Sequence, residues 1–133
     1  MTPQHALSAY QSAIQTTPPL QAVVLLYDGI LVRLHNAAAA AGHGDFGEQF
    51  NQLVRATDII RALLSALDMK AGGAVAERLR DTYEANMRAI MNTVGNPNAQ
   101  LCLSRIADGL RELRNAWSEI AGMPRLETPA AIA

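Results

Sequence analysis

The sequence predicts an all-α protein that folds as an antiparallel up-down-up-down four-helix bundle. Alanine and leucine, which both favour helices, contribute 24 and 16 of the 133 residues. Apolar residues recur three and four positions apart in four segments of about 22–25 residues each. Clusters of glycine, asparagine and proline separate these segments. Four helices of similar length with short connections are typical of such a bundle.

The first long helix is predicted to start after Thr17, an N-cap residue followed by Pro18-Pro19, since the first turn needs no amide proton. Its apolar positions fall on one face of a helix. They are residues 20, 23, 24, 27, 30, 31, 34, 37, 38 and 41. The loop Gly42-His43-Gly44 is expected to end it.

The second helix is predicted to open at Asp45, with Glu48 three residues later as in a capping box. Its apolar seam steps alternately by three and four residues, as suits antiparallel neighbours. The seam consists of Phe50, Leu53, Thr57, Ile60, Leu64 and Leu67. Gly72-Gly73 is expected to separate this helix from the third.

The third helix is predicted to end at Gly95, and Asn96-Pro97 is expected to cap the fourth. The core positions of the third helix are Val75, Leu79, Tyr83, Asn86, Met87, Ile90 and Val94. Those of the fourth are Leu103, Ile106, Leu110, Leu113, Trp117 and Ile120. Gly122 and Pro124 are expected to end the fourth helix. The predicted organisation is therefore an N-terminal segment 1–17, a bundle 18–122 and a flexible tail 123–133.

Composition and spacing argue against catalysis and against several classes of ligand. The net charge of -1 gives no overall field for nucleic acid. The single cysteine and the spacing of the three histidines fit no metal site, so neither a metal, a cofactor nor an enzymatic activity is predicted. The strongly apolar run Ala22–Tyr27 is far shorter than the roughly 20 residues of a membrane span. Without an N-terminal signal pattern, the chain is expected to be cytoplasmic and not inserted in a membrane.

Some apolar residues miss the core stripes and form a second line on each of two helices. Leu25 and Val32 lie far from the first stripe, and Ala39 continues their seven-residue spacing. On the second helix, Ile59 lies off the seam, and Ala62 and Ala66 extend its line. These lines predict a shallow, alanine-floored groove for an amphipathic partner helix. The alternative is that they are the isolated exposed aliphatic residues found on most proteins.

The N-terminal segment carries a further apolar set, Leu7, Tyr10 and Ile14, at helical spacing. A helix this short is unstable alone, so the set is expected to dock on the groove when no partner is bound, with Tyr10 as anchor. An end-cap on the bundle core is the alternative.

Several short motifs resemble, in order and spacing from about residue 9 to residue 117, the flagellar export chaperones that bind flagellin, the FliS family. In the first half of the chain they are Ala9-Tyr10-Gln11, Thr16-Thr17-Pro18 and Leu26-Tyr27-Asp28-Gly29. In the second half they are Asp58-Ile59-Ile60, Leu67-Asp68-Met69 with Gly72-Gly73, and Leu110, Leu113, Arg114 and Trp117. The run Ala37–Ala41 and the loop after it depart from the more charged sequence expected there, which could change the flagellin that is accepted.

The resemblance implies a cytoplasmic chaperone that holds the C-terminal segment of flagellin, prevents premature polymerisation and delivers the client to the type III export gate. It also implies that the N-terminal segment covers part of the surface that binds the client. Tyr27 and Asp28 are included as motif residues of the client site, with Tyr27 expected at the edge of the core. The chain is expected to be a monomer or weak homodimer. The rival interpretation is a structural or regulatory bundle that dimerises through the same apolar lines.

Overall fold

The computed structural model describes residue 9 and residues 20–127. Four helices follow one another: α1 (Leu20–Gly42), α2 (Phe46–Ser65), α3 (Met69–Met91) and α4 (Ala99–Ala121). Consecutive helices pack side by side, and α4 closes the bundle by packing against α1. No strand occurs within the described residues. The predicted all-α four-helix bundle is confirmed.

The predicted stripes form the core of this bundle. All four helices contribute large side chains that are almost fully buried. They include Tyr27, Ile30, Leu34, Leu53, Ile60, Tyr83, Ile90, Leu103, Leu110 and Trp117. Helix α1 has the broadest buried face because it packs closely against both α2 and α4.

The two ends of the α1–α2 connection follow the prediction. Helix α1 ends at Gly42, and Asp45 is the N-cap of α2, its Oδ1 accepting a hydrogen bond from the Glu48 amide at 3.1 Å. Glu48 does not complete a capping box, since its side chain instead accepts from Gln52. At the other end of the bundle, Gly122 adopts a left-handed conformation (φ 71°) and terminates α4 as predicted.

The predicted break at Gly72-Gly73 is present at Gly73, but it is not the boundary between α2 and α3. The turn between α2 and α3 lies earlier, and Asp68 caps α3 by accepting from the amides of Lys70 and Ala71. This cap gives α3 an extra turn before the glycines. Gly73, with φ 52° and ψ -131°, then interrupts the helix as a kink.

The start predicted for α4 is also displaced. Helix α3 ends at Met91, and the N-cap of α4 is Asn98 rather than Asn96. Asn96 accepts a hydrogen bond from the Asn98 amide at 2.8 Å, so it builds the turn before the helix instead of capping it.

Two predicted core residues are exposed as a result. Phe50 and Val94 retain 45% and 46% of their accessible surface. Because α3 stops before Val94, no helix covers the first turns of α2 on that side, and both side chains border an open space.

The two N-caps provide a matched test of local stability. Asp45→Ala removes a cap hydrogen bond, so we expect it to lower the free energy of unfolding by about 1 kcal/mol. Asn98 makes no side-chain cap bond, so Asn98→Ala should change it by less than about 0.5 kcal/mol. Urea denaturation followed by circular dichroism measures both. Equal losses for the two variants would contradict the assigned cap geometry.

Candidate protein-binding groove

A shallow apolar depression opens between the first turns of α1 and the last turns of α2. Its volume is about 40 Å³, enough for a water molecule but not for a large side chain. Ala62 and Ala66 lie on its α2 side, and Val23 and Leu26 on its α1 side. Leu63, Leu67, Tyr83 and Trp117 complete the lining. We call these eight residues the alanine depression.

The alanine depression brings together only part of the predicted groove. Ala62 and Ala66 line it, as expected for residues whose small side chains leave space between two helices. Leu25 and Val32 do not line it, although they are 60% and 54% exposed. They lie on the outward face of α1, opposite the buried stripe, and exposed Ala39 continues their line. The two predicted lines therefore form separate apolar surfaces.

Ile59 has a structural role that the sequence did not reveal. It is half-buried and packs against the core. A Cβ atom added to Gly29 would stand 3.3 Å from the Ile59 Cδ1 atom, so the glycine allows this side chain to fit against α1. Ile59 thus contributes to the α1–α2 contact below the surface on which a partner would lie.

Tyr27 is fully buried, so its predicted position at the edge of the core is wrong. Its hydroxyl lies 2.6 Å from the hydroxyl of Tyr83 on α3, a hydrogen-bond distance. The two rings are tilted by 52° with centroids 6.4 Å apart. The polar partner that was predicted for the Tyr27 hydroxyl exists, but it lies across the core.

Asp28 forms an ion pair with Arg114 on α4. Arg114 Nε donates to Oδ1 at 2.7 Å and Nη2 to Oδ2 at 3.3 Å, a two-point contact between guanidinium and carboxylate. Arg114 is 4% exposed and Asp28 half-buried. The geometry gives Asp28 a role in joining α1 to α4.

The same region of α4 holds the first residues after the bundle. Arg114 Nη1 also donates to the carbonyl of Pro124, and Asn115 both donates to the Leu126 carbonyl and accepts from the Leu126 amide. The first part of the predicted tail, residues 123–127, is therefore hydrogen-bonded to α4. Residues 128–133 lie outside the described residues.

Sequence reasoning missed Leu26 and Val23 as lining residues. Val23 was assigned to the core, and Leu26 lies at the edge of the same stripe, on the side that faces α2. Leu26 is 39% exposed, and its position beside the core stripe was the signal available in the sequence. Leu7, Tyr10 and Ile14 fall outside the described residues, so their docking stays a prediction.

Among the described residues no group of three or more potential ligands could hold a metal ion. One described helix, α1, is long and apolar enough to cross a membrane by length and composition, with a mean hydropathy of 1.3 over 18 residues. Its apolar face packs against α2 and α4, and its Asp28 is ion-paired. Its place at the core of the bundle accounts for that composition.

Comparison with known proteins identifies the family. The family described as "Flagellar protein FliS" matches residues 2–124. The flagellar secretion chaperone FliS of Vibrio cholerae is 29% identical over 120 residues, covering 86% of this chain and 88% of that protein. The proteins of the same name from Salmonella typhimurium and Campylobacter jejuni are 26% and 29% identical over 118 residues, and the aligned region covers 87–88% of this chain and of each relative. The chain belongs to the FliS family of flagellar secretion chaperones, which are not enzymes.

Proposed function

We propose that this chaperone binds the C-terminal segment of flagellin in the cytoplasm, prevents its premature polymerisation and delivers it to the flagellar export gate. The observation that carries the proposal is the alanine depression, an uncharged opening between two helices that leads toward the core. An amphipathic client helix would lay its apolar face over the depression, with one small aliphatic side chain entering it. Leu25 and Val32 would give a second apolar contact along α1.

Binding is coupled to folding of the client. A disordered client tail orders as it buries its apolar face, and the cost of ordering keeps the complex reversible, as export requires. Leu7, Tyr10 and Ile14 would cover the alanine depression in the free chaperone and leave it when the client arrives. In this scheme the free chaperone is a monomer or weak homodimer.

The first experiment separates client capture from other roles. The chain is co-expressed with full-length flagellin and with flagellin that lacks its last ~40 residues, a helix-forming length that could cover both ends of the bundle. Only the full-length protein should co-purify. Equal recovery of both would overturn capture of the C-terminal segment. A stable dimer in sedimentation that buries Leu25 and Ile59 and binds no flagellin would favour the structural or regulatory bundle.

The second experiment tests the location of the site. Ala62→Glu places a carboxylate at the exposed edge of the alanine depression, and we expect flagellin affinity to fall at least about tenfold because that charge would be desolvated on binding. Ala85→Glu, at an exposed position of α3 that does not line the depression, is the matched control and should bind as the wild type does. Calorimetric titration measures both affinities. Wild-type affinity for Ala62→Glu would show that the depression is not the site.

A further inference from the structure

The residues that follow α4 turn back along that helix. Met123 donates its amide to the Ser118 carbonyl at 2.8 Å, and Leu126 is hydrogen-bonded to Asn115, almost one turn earlier in α4. Because later residues of the chain pair with earlier residues of α4, this segment runs antiparallel to the helix. We call residues 123–127 the C-terminal strap.

Asn115 holds the C-terminal strap by its main chain. Its Nδ2 donates to the Leu126 carbonyl at 2.9 Å, and its Oδ1 accepts from the Leu126 amide at 2.8 Å. A carboxamide offers the same kind of donor and acceptor as a peptide group, so this contact recognises no particular side chain. Arg125, Leu126 and Glu127 are all exposed. The strap is therefore bound through its backbone rather than through its sequence.

The contact with the strap and the wall of the alanine depression lie on opposite sides of the same turn of α4. Asn115 and Trp117 are two residues apart, so their side chains diverge by about 200° around the helix axis. Trp117 is 1% exposed, packs in the core and lines the alanine depression. Asn115 points the other way, yet it is only 5% exposed, and both polar groups of its carboxamide are paired with the strap.

Arg114 joins the C-terminal strap to α1 as well. Its Nη1 donates to the Pro124 carbonyl, while Nε and Nη2 donate to the Asp28 carboxylate on α1. The residue is 4% exposed, and a guanidinium has only donors, so it needs acceptors within the protein. One buried side chain thus connects the strap, α4 and α1.

We propose that the C-terminal strap, held through its main chain, keeps the last turns of α4 closed against α1 and so positions Trp117 at the alanine depression. Helix ends fray because their last carbonyl groups have no partner within the helix. Here the strap gives the Met123 amide to the Ser118 carbonyl, and Arg114 and Asn115 in turn hold the strap. The inference concerns the free chaperone and goes beyond the proposed function, since it involves no client.

The test compares two substitutions of Leu126 in the full chain. Leu126→Pro removes the amide that donates to Asn115, whereas Leu126→Ala keeps both main-chain hydrogen bonds and is the matched control. Trp117 is the single tryptophan, so acrylamide quenching of its fluorescence reports how often α4 opens at the depression. We expect Leu126→Pro to raise the quenching constant about twofold, because local opening becomes more frequent, and Leu126→Ala to match the wild type.

A second variant changes the same contact from the side of α4. Asn115→Ala removes both hydrogen bonds to Leu126, and we expect amide hydrogen exchange in residues 115–121 to become about tenfold faster, as two lost hydrogen bonds would cause. Leu126→Pro should change exchange in the same direction. Exchange in α2 should stay as in the wild type, which separates local opening of α4 from a general loss of stability.

The outcomes distinguish the strap from other causes. Wild-type quenching and exchange for both Leu126→Pro and Asn115→Ala would overturn the inference. An equal rise in quenching for Leu126→Ala and Leu126→Pro would show that the leucine side chain holds the strap, so recognition through the main chain would be wrong. Exchange that accelerates as much in α2 as in α4 would contradict local positioning of α4. None of these measurements uses flagellin, so a wild-type chain that binds no flagellin would overturn the proposed function alone.

Discussion

Replacing Arg114 by alanine is expected to lower the free energy of unfolding by about 3 kcal/mol. The guanidinium is buried and makes a two-point contact with Asp28 as well as a hydrogen bond to the Pro124 carbonyl. Its loss leaves a partly buried carboxylate and a carbonyl without their donor. Because the Asp28 side chain is 31% exposed, water recovers part of that loss, which places the effect at the lower end of the range for breaking a buried pair.

The control for Arg114→Ala is an ion pair on the surface. Arg61 and Asp58 lie 3.1 Å apart with side chains 64% and 62% exposed, so Arg61→Ala should cost less than about 0.5 kcal/mol. Urea denaturation of the single variants Arg114→Ala and Asp28→Ala and of the double variant gives the coupling energy. Additive losses in that cycle would show that the two side chains do not act as a pair.

Replacing Trp117 by alanine is expected to cost about 4 kcal/mol of unfolding free energy. Trp117 is 1% exposed in α4, within the core cluster, and it also lines the alanine depression. Truncation removes a large buried apolar surface and extends the depression into the core, since the neighbouring helices relax only partly. Trp117→Phe, which keeps an aromatic ring, should cost less.

The measurement must not depend on tryptophan fluorescence, because the chain contains a single tryptophan. Denaturation followed by far-ultraviolet circular dichroism avoids the problem. Leu101→Ala, at an exposed position of the same helix, serves as the control and should change stability by less than about 0.5 kcal/mol. A loss below about 1 kcal/mol for Trp117→Ala would contradict the packing of α4 described above.

Periodicity was sufficient to predict the helices and most of the core, because burial on a helix repeats every three to four residues. It was wrong at Phe50 and Val94, whose exposure depends on where a different helix ends. The glycines predicted the break at Gly73, but not the cap at Asp68 that starts α3 before them. Local signals thus predict the helix faces better than the relative positions of the helix ends.

The candidate site was predicted in part for a similar reason. Ala62 and Ala66 share one face of one helix, which spacing alone reveals, and they do line the depression. The partners of Asp28 and Tyr27 are 86 and 56 residues away in the chain, and no pattern within a helix encodes such pairs. The open cavity lined by Phe46, Phe50 and Val94 depends on three chain segments that meet at one end of the bundle, so it could be found only from the structure.

The ion pair between Asp28 and Arg114 also has a consequence for the order of folding. Helices α1 and α2 are joined by a short turn, whereas closing the 86-residue loop between Asp28 and Arg114 has a larger entropic cost. The α1–α2 hairpin can therefore form during synthesis, before α4 has been made, and the ion pair forms when α4 docks. An interaction that forms this late lowers the unfolding rate and has little effect on the folding rate. Arg114 is therefore expected to slow the unfolding of the closed bundle.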